Sequence, residues 1–177
     1  ICNKYNLVHI KDIKCVHGVP YVNDLFSISS DYANDDDILL WTNSDMIYFN
    51  EDIIKTINSF KKYKEENNIK NYMIVGQRHD WCNTKILDHF DKDKFIANSE
   101  KCEQTNDIKY LDHPKHKICI HRSCGIDYIF HNKEAYKNKI NDKVVIAGAL
   151  HDNLLVRVGL VNNYFTCDAT ASIFALH

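Results

Sequence analysis

Two hydrophobic patterns alternate along the chain: short continuous apolar runs, and longer stretches in which apolar residues recur every three or four positions. The first pattern predicts strands and the second predicts helices. Residues 7–10 form an apolar, β-branched run read as a strand, and Pro20 then breaks the chain. Val22, Leu25, Phe26 and Ser29 follow at helical spacing, which predicts a helix over 22–30. After the acidic run at 35–37, residues 38–42 are continuously apolar, as expected of a strand buried on both faces of a parallel sheet, and they end on Asn43-Ser44-Asp45. Asn50 is placed to cap a helix whose stripe is Ile53, Ile54, Ile57 and Phe60, with Lys61, Lys62 and Lys64 complementing the dipole at its C-terminal end. Residues 72–76 form a second buried run that leads into the polar cluster Gln77-Arg78-His79-Asp80-Trp81. This order of strand, helix and strand describes a βαβ unit.

From 82 to 117 the chain is charged and weakly periodic, and it reads as a helical or irregular insertion. Order returns with a strand at 126–130, a short helix at 134–139 and a strand at 144–147. A helix over 152–158 follows, then strands near 164–167 and 172–176. The fold class predicted is α/β, a mostly parallel sheet flanked by helices in one domain over 1–177, with no internal repeat or linker.

Composition narrows the class. The 177 residues suffice for one globular domain with a core, and 45% hydrophobic content with ten Tyr and eight Phe opposes disorder. Lys plus Arg number 22 against 24 Asp plus Glu, so the chain lacks the basic field of a nucleic-acid binder. No apolar run approaches the roughly 20 residues of a membrane span. Seven irregularly spaced Cys, no Asn-x-Ser/Thr sequon and no leader pattern together predict reduced thiols and a cytoplasmic location.

In open α/β sheets ligands bind beyond the carboxyl ends of strands, so polar residues just after apolar runs are the candidates for chemistry. Asn43-Ser44-Asp45 is one such segment. A carboxylate there suits Mg²⁺ or Mn²⁺ bridging phosphate oxygens, and the same tripeptide is also ordinary turn composition. Asp127 lies just after Gly125 in an otherwise apolar run and needs a partner if buried. Arg78, after a strand, either neutralises phosphate or pairs with a buried acid such as Asp127. Asn23, Asp24, His151, Asp152 and Asn153 all sit at predicted helix starts, where polar residues serve as caps and first-turn charges. His113, His116, Cys119, His121 and Cys124 are rich in zinc-type ligands but match no standard spacing. No nucleophile motif singles out any Cys.

The ordered segments Val19-Pro20-Tyr21-Val22-Asn23-Asp24-Leu25-Phe26, Trp41-Thr42-Asn43-Ser44-Asp45, Val75-Gly76-Gln77-Arg78-His79-Asp80-Trp81, Gly125-Ile126-Asp127-Tyr128, His151-Asp152-Asn153-Leu154-Leu155 and the final His177 span nearly the whole chain. Together they resemble GT-A-type glycosyltransferase domains of the kind found in large DNA viruses and some eukaryotes. The resemblance implies a metal-dependent transfer of a hexosyl or deoxyhexosyl group from a nucleotide-diphosphate donor, a UDP-sugar, to a hydroxyl of a glycan or other acceptor. It places Asp45 and His177 on Mn²⁺ or Mg²⁺ and makes Asp152 the general base. It also puts Asn23, Asp24, Asn43, Ser44, Arg78, Gly125, Asp127, His151 and Asn153 near donor or acceptor. Asn43 departs from the acidic residue that opens the usual D-x-D-type motif.

The same resemblance implies a nucleobase-binding first strand and loop ahead of that motif. With 37 residues before Ile38 and one strand candidate among them, the expectation is a domain that begins before Ile1, in a larger chain or assembly. The competing readings are a catalytically degenerate glycosyltransferase-like module that binds glycans or acts as a scaffold, and a metal-dependent phosphohydrolase. The second lacks a close multi-carboxylate cluster.

Overall fold

The structure is a computed structural model that describes residue 4 and residues 7–81, 118–121, 125–146 and 151–177, the side chains of Trp81, Ile118 and Cys119 excepted. The predicted insertion at 82–117 and three of the five zinc-type residues, His113, His116 and Cys124, lie outside these residues, as does the side chain of a fourth, Cys119. The elements are β1 (Cys15–Val16), β2 (Val19–Pro20), α1 (Val22–Tyr32), β3 (Ile38–Thr42), β4 (Ile47–Tyr48), α2 (Asn50–Glu66), β5 (Tyr72–Gly76), β6 (His79–Trp81), β7 (Ile118–Ile120), β8 (Tyr128–Asn132), α3 (His151–Val161), β9 (Phe165–Asp168) and β10 (Ala175–Leu176). Among the described residues, no helix is long and apolar enough to cross a membrane.

The chain is α/β, and its sheets are mixed rather than mostly parallel. One four-stranded sheet has the order β3-β8-β5-β9 and a second has the order β4-β10-β6-β7. In the first, the Asp127 N–H donates to the Gly76 carbonyl at the end of β5, and the Tyr72 N–H at its start meets the Asn132 side chain, so β8 runs against β5. In the second, β10 is antiparallel to β4 and parallel to β6, and β6 is antiparallel to β7.

The chain divides into two compact units. The first comprises Ile1–Leu39, Asn71–Met73 and His131–Phe165, and the second Leu40–Lys70, Ile74–Phe130 and Thr166–His177. In the first unit α1 buries Val22, Phe26 and Ser30, spaced four apart on one face. Phe26 packs against His131 and Tyr136 with ring centroids 5.2 and 4.8 Å away. β1 and β2 form a hairpin through His17 and Gly18, both at positive φ, which suits the twist of a two-residue turn. Pro20 therefore ends a strand, where the sequence reading saw only a break. Residues 7–10 are not a strand, and Leu7 and Val8 are exposed. The helix expected at 134–139 is a series of turns: Asn138 has positive φ, which a right-handed helix does not accommodate, and the buried Ala135 and Tyr136 are held by tertiary packing.

In the second unit α2 starts at Asn50 itself, with Phe49 in the capping position and no side-chain cap. Its buried side is Phe60, flanked by half-buried Ile53 and Ile57, while Ile54 of the expected stripe is 58% exposed. β5 is buried throughout, as its sequence predicts. β3 is only half-buried because it is an edge strand, not an interior one.

Candidate functional site

The second unit gathers polar side chains from the ends of β3, β5 and β10, the starts of β6 and β8, and the end of β7. β3 delivers Asn43, and Ser44 and Asp45 follow in an exposed turn before β4. Pairing of Leu176 with Ile47 draws the final residue, His177, alongside that turn. Its backbone N–H donates to the His79 carbonyl at 3.0 Å. Its Nε2 lies 3.0 Å from Asp45 Oδ2, with the two side chains 37% and 63% exposed. Residues 132 positions apart thus meet, through strand register, at a surface open to solvent.

A second cluster is buried. Asp127 precedes β8 with its side chain 3% exposed, and its Oδ1 accepts from Arg78 Nη1 at 2.7 Å and from Asn43 Nδ2 at 3.1 Å. The other arm of the Arg78 fork, Nε, donates to Asp80 Oδ1 at 2.7 Å. Asp80 Oδ2 accepts in turn from His121 Nδ1 at 2.6 Å. Asp80 is the middle residue of β6 and Arg78 directly precedes that strand, and the two side chains meet, whereas His79 between them stacks on Phe174 at 4.3 Å. Antiparallel pairing sets His121, just beyond β7, opposite Arg78, and its N–H donates to the Arg78 carbonyl at 2.9 Å.

Two glycines permit this packing. A Cβ on Gly125 would run into the His121 ring, and one on Gly76 into the Tyr128 phenol. Gly125 therefore admits a side chain of the cluster.

Burial pushes the Asp80 carboxyl up, but hydrogen bonds from His121 and Arg78 outweigh it and hold Asp80 below the ordinary carboxylate range. Burial works against the Arg78 charge too, and the two carboxylates outweigh it, so its proton is held more tightly than usual. Burial lowers His79. It also raises Tyr48, hydrogen-bonded to Thr42, to about 12, so that phenol stays protonated. Asp127 Oδ2 is buried with no hydrogen-bond partner among the described residues.

Of the residues singled out in the sequence, Asn43, Asp45, Arg78, Gly125, Asp127 and His177 come together in this unit, and Ser44 is an exposed turn residue. Arg78 is committed to Asp127 and Asp80, which decides between its two sequence-level roles in favour of the buried acid. Asn23, Asp24, His151, Asp152 and Asn153 belong to the first unit. There Asn23 Nδ2 donates to Asp142 Oδ1 at 2.9 Å, and Asp24 accepts from the Lys14 N–H at 2.9 Å. His151 Nε2 lies 2.8 Å from Asp152 Oδ1 in the first turn of α3.

Sequence reasoning missed the pairing of Asp80 with His121, having grouped His121 with the zinc-type residues. The available signal was the polar cluster at 77–81, read as the polar end of a strand with no partner assigned to Asp80. Among the described residues, no group of three or more His, Cys, Asp or Glu converges as a metal site. No family model matches the chain, and no curated protein or solved structure matches it either.

Proposed function

We propose that the chain is a metal-dependent glycosyltransferase that moves a sugar from a nucleotide-diphosphate donor, a UDP-sugar, to a hydroxyl of a glycan or other acceptor. The observation that carries this reading is the contact of Asp45 with His177 at 3.0 Å. It joins the two residues that the resemblance assigns to Mn²⁺ or Mg²⁺ from opposite ends of the sequence.

The donor set fits such a cation. One carboxylate and one imidazole suit Mn²⁺, and a site with few protein ligands leaves coordination positions for diphosphate oxygens and water. Asp45 and His177 would hold the cation through a carboxylate oxygen and a deprotonated ring nitrogen, as metal ligation requires. When bound there, the cation would stabilise charge on the departing diphosphate. The chain's own residues do the rest. Asn43 and Asp127 fix the end of β3, and with it the turn that carries Asp45. Arg78 offers no free cation to the phosphates, which leaves that charge to the metal pair. The resemblance names Asp152, in the first unit, as a candidate for the base.

The test is release of UDP from a panel of UDP-sugars in Mn²⁺ with glycan acceptors. Asp45→Ala and His177→Ala are each expected to lose at least a hundredfold in turnover, consistent with the several kcal/mol a metal supplies. Asp152→Asn tests the base that the resemblance names, since loss of a general base costs about a hundredfold or more. Undiminished, Mn²⁺-independent turnover in Asp45→Ala would reject the reading.

A further inference from the structure

We propose that Asp80 and His121 form a proton-accepting dyad in the second unit, with His121 Nε2 taking the proton of the attacking acceptor hydroxyl. The role of the dyad in transfer rests on the glycosyltransferase reading; its geometry does not. Asp80 Oδ2 lies 2.6 Å from His121 Nδ1, which fixes the proton on Nδ1 and leaves Nε2 with its lone pair. Nε2 has no hydrogen-bond partner among the described residues, and it is not among the buried, unpaired atoms. Asp80 cannot turn away, because Arg78 Nε holds its other oxygen at 2.7 Å. The ring is seated on Gly125, where any side chain would displace it. Asp80 faces the imidazole directly, and Arg78 acts on it through Asp80.

Strand order places the dyad and the metal pair at the ends of strands of one sheet. β10, which His177 directly follows, and β7, which His121 directly follows, flank β6 on either side. Neighbouring strands lie about 4.8 Å apart, and the register sets His177 level with Asp80 and His121 level with Arg78, so the two backbones are roughly 12 Å apart.

In the step proposed, the acceptor oxygen bonds to the anomeric carbon as the bond from that carbon to the diphosphate oxygen breaks. The electron pair leaves with the diphosphate. The hydroxyl proton passes to His121 Nε2, giving an imidazolium that the Asp80 carboxylate stabilises. His121 is then the base in place of Asp152, and Asp80 is a positioning residue.

The test uses the full chain labelled with ¹⁵N-histidine, His121 being assigned by its loss in His121→Asn. The wild-type imidazole is expected as the Nδ1–H tautomer. In Asp80→Asn, Arg78 keeps the amide oxygen, so the amide NH₂ faces Nδ1 and the ring switches to Nε2–H. Carbethoxylation of His121 by diethyl pyrocarbonate is expected in the wild type and slowed in Asp80→Asn. His121→Asn keeps a donor for Asp80 and removes the acceptor nitrogen. It is expected to lose at least a hundredfold in UDP-sugar turnover while its far-UV spectrum and Mn²⁺-dependent UDP affinity stay at wild-type values.

An Nε2–H tautomer in the wild type, a His121 that resists carbethoxylation, or His121→Asn turnover within threefold of wild type overturns the proposal. Failure of the glycosyltransferase reading looks different: neither turnover nor UDP binding in the wild type, with the tautomer and acylation results intact. That outcome supports the dyad and removes the sugar hydroxyl as the source of its proton.

Discussion

Arg78 is the residue on which the buried cluster depends. Its guanidinium divides two hydrogen bonds between Asp127, 3% exposed, and Asp80, and no lysine can span both with one ammonium. Removing it leaves a buried carboxylate without a counter-charge. Arg78→Met is therefore expected to cost about 3 kcal/mol in urea denaturation, and Arg78→Lys to recover only part of that. A loss below about 1 kcal/mol would show that Asp127 is held by other groups. At this scale the sequence was informative where chemistry alone decided: an Asp inside an apolar run needs a partner, and Arg78 was among the few candidates. It was silent on Asp80 and His121, because their meeting depends on the register of two strands separated by residues 82–117. Asn23 and Asp24, given both a ligand-side and a helix-start reading, have local partners in Asp142 and the Lys14 N–H.

Helices and fully buried strands were the legible elements. α1, α2, β5 and α3 fall within a few residues of where periodicity placed them. The short strands β4, β6 and β7 had no such signal, since two or three residues are too few to show a period. The edge position of β3 and the reversed direction of β8 also follow from pairing partners that no local pattern encodes. One contact measures how tightly β5 and β8 are fitted. Gly76 ends β5 against the fully buried Tyr128 ring, and an added Cβ would occupy the space of the phenol. Gly76→Ala is expected to destabilise by about 1–3 kcal/mol, as overpacking does. Tyr128→Leu should relieve much of that penalty, so a double-mutant cycle by thermal denaturation is expected to show strong coupling. Additive effects would place the ring elsewhere.

At the scale of the whole molecule, stability is tied to pH through His131, 2% exposed among Phe26 and Tyr136 in the first unit. Burial lowers its pKa to about 4, against about 6.5 in an unfolded chain. Between those values the unfolded chain binds a proton that the folded chain refuses. The contribution is therefore intact above about pH 6.5 and declines as pH falls towards 4, by on the order of 3 kcal/mol. Urea denaturation at a series of pH values checks this, and His131→Phe is expected to flatten the slope across that window. The central claim concerns a different pair of residues. Residues at positions 45 and 177 were read together only through a family resemblance, and strand pairing sets them 3.0 Å apart. Isothermal titration calorimetry of the chain with UDP, with and without Mn²⁺, tests that claim most directly. The account predicts UDP binding that requires Mn²⁺ and weakens at least tenfold in both Asp45→Ala and His177→Ala. UDP binding that is indifferent to Mn²⁺ and to both substitutions, or no binding at all, would contradict it.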